Sequence, residues 1–310
     1  QLHWLDLEGL AFGSRFVPLW SRAHGRPVGH RGTLRVRSDR REMPPAEARE
    51  ALARRDGATR LAALEPGLHM SNYRAHTEER GWLVLHVDDF VLGQTNLWPP
   101  TPQDLFSSDL YAPHDLVLEV SAEASTPDRL RDFVAFHQAL GFTVAISDFG
   151  LRQADLAGLW TIRPDLVCLS PRVLETDAGA AGRRSLLDAL CRVLHEAGAM
   201  VALDGVDDEA RLERALASEV DLVEGALAHA VAEHVRIAPT APGPSTALRE
   251  RLLEGARAIA EGRVFESACE TLLGEPGVLR CYLLDGDGIQ LTDNLSPVGT
   301  RSEPRYWPLA

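Results

Sequence analysis

The sequence predicts an α/β fold, a largely parallel sheet with helical crossovers, followed by a smaller α+β domain. Three observations carry this. From about residue 80 onward, short apolar runs alternate regularly with amphipathic stretches, the pattern of a parallel sheet covered by helices. The stretch APTAPGPST, residues 238–246, is rich in Pro and small polar residues and reads as a linker or elbow. A chain of 310 residues is long enough for one large barrel with an appendage, or for two ordinary domains.

Taken in order, FVPLW and VGHRGTLRVR read as opening strands around a turn at Ala23 to Pro27, followed by the helix PPAEAREALARRD. The runs WLVLHV (82–87), DLVLEV (115–120), FTVAIS (142–147), DLVCLS (165–170), MVALDG (200–205) and DLVEG (221–225) read as strands. The clearest helices between them are PDRLRDFVAFHQAL, opened by Thr126 and Pro127, and RRSLLDALCRVLHEAG, closed by Gly198. Six or more such βα units imply a barrel or a doubly wound sheet, and periodicity alone does not choose between them.

Beyond the linker, TALRERLLEGARAIAEG and VFESACETLLG read as two helices, and VLRCYLLDGDGIQLTDN as two strands joined by a turn at Asp285 to Gly288. That DGDG turn lacks the later ligands and closing Glu of a calcium loop, so a hairpin is the simpler reading. The helix over 246–262 places Leu248, Leu252, Leu253, Ala256 and Ile259 at helical spacing, suited either to docking on the first domain or to homodimerisation.

The formal net charge is -13 with both signs spread along the chain, which argues against nucleic acid or an anionic membrane surface as the main partner; Arg35 to Arg41 is a local exception. Cys168, Cys191, Cys269 and Cys281 show neither CxxC spacing nor a pairing pattern, as expected of buried thiols in a reducing compartment. No apolar run reaches membrane-spanning length, and QLHWLDLEGL lacks the regions of a signal peptide, so no membrane insertion and a cytoplasmic location are expected. The start without Met and the ending SEPRYWPLA suit a fragment of a longer polypeptide.

The order of the segments FVPLW, VGHRGTLR, LVLEVS, FTVAISDFG, PDLVCLSPRVL, MVALDGVDDEARL and VDLVEG resembles the run of motifs in EAL-family cyclic-di-GMP phosphodiesterases, from about residue 8 to 236. Its most specific part runs from Leu140 to Leu174. The resemblance implies a TIM-like (βα)8 barrel with one irregular strand direction near its start, and binding of cyclic di-GMP over the C-terminal strand ends. Together with the linker read at 238–246, it puts the degenerate barrel at 1–237, and the segment at 247–310 resembles the start of a PAS/cache-like sensory domain. Independently of any family, Glu119, Asp148, Asp204 and Glu224 at successive strand ends converge on one barrel rim, as a divalent-metal site requires.

Carried residue by residue, the resemblance implies a degenerate site. The signature glutamate, a metal ligand, falls on Arg31 in HRGTLR; the strand-end Asn falls on His86; the first of the paired aspartates falls on Ser147, leaving Asp148. The family Lys falls on Cys168 and the neighbouring acid on Ser170; two glutamates become Asp204 and Asp207, and a Gln becomes Glu224. A guanidinium repels a metal ion but pairs with carboxylates through its planar fork, so the acidic rim is expected to form a salt-bridge network around Arg31 rather than a metal centre. His86 is expected to be a hydrogen-bonded core residue, and Cys168 an inert packed thiol. Arg35 and Pro18 are the retained candidates for nucleotide contact, whereas Val17 replaces a Gln and EGALAHAV lacks the aromatic and Pro that help to hold the base.

The expected function is a catalytically inactive signalling module, with no cofactor, acting through a protein partner in a cyclic-di-GMP-related pathway. The alternative is a receptor that binds cyclic di-GMP without cleaving it. An active phosphodiesterase with substitute ligands rests only on the four persisting carboxylates.

Overall fold

A computed structural model describes residues 3–39, 41–53, 57–76, 81–88, 111–122, 126–149, 156–176, 186–232 and 246–275, together with 278, 281–283, 291–292 and 295. The chain opens with β1 (Leu5–Leu7), β2 (Leu10–Ser21), β3 (Arg26–Ser38) and β4 (Arg41–Met43), then α1 (Pro45–Ala53), α2 (Gly57–His76) and β5 (Trp82–His86). There follow β6 (Leu116–Ser121), α3 (Pro127–Ala139), β7 (Thr143–Phe149), α4 (Leu156–Ile162), β8 (Leu166–Leu169), α5 (Arg172–Thr176), α6 (Leu186–Glu196), β9 (Met200–Leu203), α7 (Glu209–Ala217) and β10 (Leu222–Val223). Two helices end the described elements, α8 (Thr246–Ala260) and α9 (Phe265–Leu273).

The sheet order is β1-β2-β10-β9-β8-β7-β6-β5-β3-β4. Because β2 also pairs with β3, the eight strands between β1 and β4 close on themselves into a TIM-like barrel. All neighbouring pairs in the ring are parallel except those of β2, which runs antiparallel to both β3 and β10. This is the one irregular strand direction expected near the start. The β2–β3 hairpin turns at Gly25, whose φ of +62° suits a residue without Cβ.

Alternation along each strand sorts the core. Leu19, Val84, Val117, Ala145, Leu166, Cys168 and Ala202 fill the barrel interior, while Leu83, Leu85, Leu116 and Leu118 point out under the helices. Gly29 sits on β3 where a Cβ would come within 2.6 Å of the Trp82 carbonyl oxygen, so only glycine lets β3 and β5 close the ring here.

Three sequence readings change. The helix α2 went unread because it carries Pro66 and interleaves its buried apolar residues Leu61, Ala62, Leu68, Met70 and Tyr73 with the buried polar Glu65, His69 and Asn72. The polar three form a seam against β2: His69 Nδ1 lies 2.8 Å from Ser14 Oγ, Asn72 donates to the same hydroxyl, and Arg49 donates to Glu65 at 2.6 Å. Burial alone would raise the Glu65 carboxyl, but hydrogen bonds from His69 and Arg49 hold it below the ordinary carboxylate range. Strand β10 spans two residues where five were expected. Thr126 occupies the N-cap of α3 in extended backbone, yet its side chain makes no capping bond; Pro127 at the first turn sets the start.

In the C-terminal part, Cys281 bridges Leu295 in antiparallel fashion and Leu291 N donates to Leu283 O at 2.8 Å, as two paired strand segments would. The turn at Asp285 to Gly288 and most of the linker lie outside the described residues. Leu252 and Leu253 on α8 are exposed. Among the described residues no helix is long and apolar enough to cross a membrane.

Candidate functional site

The C-terminal strand ends define the rim. Arg31 projects from β3 opposite Val84 of β5 and Val17 of β2, and its side chain is 12 % exposed. Its guanidinium uses every edge of its fork. Nε donates to Glu224 Oε2 at 2.8 Å, Nη2 to Asp204 Oδ1 at 3.2 Å, and Nη1 to Glu119 Oε2. Nη2 also lies 3.8 Å from Cys168 Sγ, whose S–H donates to Glu119. Strands β3, β6, β8, β9 and β10 thus converge on one cation.

The charges do not cancel, since one guanidinium faces three carboxyl groups. Burial pushes Asp204 and Glu224 above the ordinary carboxylate range even though Arg31 opposes it, and Asp148 adds to the rise at Asp204. Burial would lower Arg31, but the surrounding anions win and hold it fully protonated. Burial likewise pushes the Cys168 thiol up to about 12, and the residue is packed among the apolar side chains of the barrel interior.

The remaining expected residues divide. Asp148 has φ +57° at an irregularity in the β7–β8 pairing, and its Oδ2 accepts from Ser121 Oγ at 3.0 Å. It is near Asp204 but bonded elsewhere. Ser147 is buried and donates to the Val120 carbonyl at 3.4 Å. Asp207 is held by the loop after β10, accepting from Ala226 N at 2.8 Å. His86 corrects the core reading: its side chain is 39 % exposed, with Nδ1 3.9 Å from Glu119 Oε1. Arg35 is an exposed residue paired with Glu42, donating through Nε at 2.6 Å, and that hydrogen bond lowers the Glu42 carboxyl. Pro18 sits on β2 opposite His30.

Two polar contacts on this rim went unread. Ser121 positions Asp148, and Arg211 donates through Nη1 to Gly205 O at 2.9 Å, fixing the loop after Asp204. Ser121 follows Glu119 by two residues on one strand face, the only signal for it.

A closed, mostly parallel barrel with one reversed strand and an acidic rim at its C-terminal strand ends defines the class of TIM-like barrels. The EAL domain profile matches residues 6–230, and the chain belongs to the EAL domain family. Among solved structures it is similar to a PaMucR phosphodiesterase in complex with c-di-GMP, at 14% identity and TM-score 0.61, covering 69% of this chain and 89% of that one. It is also similar to the FimX EAL domain from Pseudomonas aeruginosa bound to c-di-GMP, at 19% identity and TM-score 0.59, covering 69% and 88%. A third is Klebsiella pneumoniae BlrP1 in a manganese/cy-diGMP complex, at 16% identity and TM-score 0.61, covering 73% of this chain and 57% of that one. No curated protein matches the chain by sequence.

The donor set here does not fit a divalent metal centre. The oxygens of Glu119, Asp204 and Glu224 that would ligate an ion are bonded to a guanidinium, which cannot ligate and repels a cation. Among the described residues, no group of three or more His, Cys, Asp or Glu is arranged to hold a metal ion.

Proposed function

We propose that this EAL domain is a non-hydrolysing signalling module that acts through protein contacts in a cyclic-di-GMP-related pathway. The observation that carries the reading is the guanidinium of Arg31 bonded to three rim carboxyl groups. Phosphodiester hydrolysis by two metals needs ions that polarise the phosphoryl oxygen and deliver hydroxide at fixed separation. Arg31 takes the oxygens such ions need, and Ser147 and Cys168 supply neither a second acid nor a Lys. Incubating the chain with cyclic di-GMP and millimolar Mg²⁺ or Mn²⁺ tests this by chromatography. No linear product above an enzyme-free control is expected; product at enzymatic rates, lost in Glu119→Gln, would refute it.

A second reading, a receptor that binds cyclic di-GMP without cleaving it, draws support from two similar structures in complex with that ligand. Arg35 suits it, because an exposed ion pair such as Arg35–Glu42 is worth at most about 1 kcal/mol and yields readily to a phosphate. Calorimetric titration separates the readings: micromolar binding favours the receptor, and silence favours a pure interaction module. We place the barrel at 1–237, a linker at 238–246 and a sensory-type domain from 247, in a cytoplasmic protein with a protein partner or a second copy of itself.

A further inference from the structure

At the end of the barrel opposite the Arg31 rim, where β9 and β10 begin, a cavity of about 690 Å³ separates the barrel from α8 and α9. Its walls are mostly apolar, with Leu252, Ile259, Phe265 and Leu272 among them. Two cysteines face this space together. Cys269 projects from α9, and Cys281 is held by paired backbone hydrogen bonds with Leu295, at 2.8 and 2.9 Å. Their thiols hydrogen-bond to each other, although twelve positions separate them in the chain. Cys269 is buried and Cys281 partly so, yet both line the cavity, whereas Cys168 and Cys191 are packed inside and under the barrel away from it.

We propose that Cys269 and Cys281 are a redox-modification site, a dithiol that a hydroperoxide entering the cavity converts to an intramolecular disulfide. The two sulfurs have distinct tasks. Burial pushes Cys269 up to about 12. Burial also raises Cys281, but the hydrogen bond from Cys269 offsets part of that rise, and Cys281 is the more accessible of the two. Cys281 therefore attacks. Its thiolate breaks the O–O bond of the peroxide, forming a sulfenic acid and releasing the alcohol, or water when the oxidant is hydrogen peroxide; the Cys269 sulfur then displaces the hydroxyl, which leaves as water as the S–S bond forms. Two thiols lose two electrons, and the peroxide gains them. Because both thiols are protonated near neutrality, the reaction is slow there and quickens with rising pH. The product ties α9 to the Cys281–Leu295 bridge across the cavity.

The test treats the full chain with hydrogen peroxide at about pH 7 and about pH 9, then denatures, alkylates and maps peptides by mass spectrometry. The expected result is one linked peptide pair containing Cys269 and Cys281, lighter by two hydrogens, formed faster at the higher pH and reversed by dithiothreitol. Cys168 and Cys191 remain alkylated. In Cys269→Ser, Cys281 halts as a sulfenic acid that dimedone traps; in Cys281→Ser, Cys269 stays a thiol. The proposal is overturned if the wild-type chain alkylates at all four cysteines after treatment, if either residue goes to a sulfinic acid without forming the bond, or if the disulfide joins two chains.

Discussion

Arg31 Nε and Glu224 Oε2, 2.8 Å apart, join β3 to the end of β10 across the one antiparallel strand of the barrel. The bond therefore spans the seam where β2 closes the ring. Replacing Arg31 with Met removes it and leaves three rim carboxyl groups without their cation. Breaking a buried ion pair from one side costs about 3–5 kcal/mol, and a loss of that size is expected from urea unfolding at neutral pH. Part of it should return on acidification, as the stranded carboxyl groups take up protons. An unchanged midpoint would show that the network contributes nothing to closure.

Arg31→Glu restores the acidic residue at that position but not activity. Ser147 and Cys168 still lack the acid and the ammonium that the resemblance assigns there, and about an ångström of misplacement is costly in two-metal hydrolysis. Product chromatography with Mn²⁺ should read the same as for the parent chain. Hydrolysis in this single variant would place the whole defect in Arg31.

The elevated Asp204 and Glu224 carboxyls give a pH dependence of definite sign. A folded state that holds protons the unfolded chain has already released loses stability as pH rises, from the ordinary carboxylate value of about 4 through the raised folded values. Asp204→Asn removes one contributor. Its denaturation midpoint should fall less steeply than the parent's as pH is raised from about 4. A steeper fall would mean that Arg31 dominates and that the carboxyl is lowered instead.

Gly225 follows Glu224 with φ +147°, and a Cβ there would meet Val206 N at 2.4 Å. Both backbone strain and a clash with main chain that cannot step aside oppose any side chain. Gly225→Ala should lower the thermal midpoint, with strain alone on the order of 1–3 kcal/mol. Differential scanning calorimetry checks this.

Arg35→Ala removes only an exposed ion pair, so stability should change by less than about 1 kcal/mol. Under the receptor reading, the same substitution abolishes heat of cyclic-di-GMP binding while the circular dichroism melt stays in place.

The barrel was legible because its parallel strands are buried on both faces and read as unbroken apolar runs such as WLVLH and LVCL. Helix α2 was not, since Glu65, His69 and Asn72 interrupt its buried apolar residues, and His69 and Asn72 find their partner, Ser14, on distant β2. At the rim, the charge reversal at Arg31 could be read from sequence, but not which carboxyls it would reach. Asp148 turns to Ser121 through a left-handed backbone, and Asp207 is claimed by Ala226 N. Nor does spacing reveal Cys269 beside Cys281, because that meeting depends on how α9 and the segment bridging Leu295 fold together.

A positive charge carried on an arginine side chain cannot leave its site as a bound ion can. Where an ion on a barrel rim comes and goes with its concentration and with chelators, the charge at the mouth of this barrel is synthesised with the chain and anchored to β3. Its three carboxyl partners should therefore be gathered at the same place whatever the supply of divalent cations, and the shape of this surface is set when the chain is made.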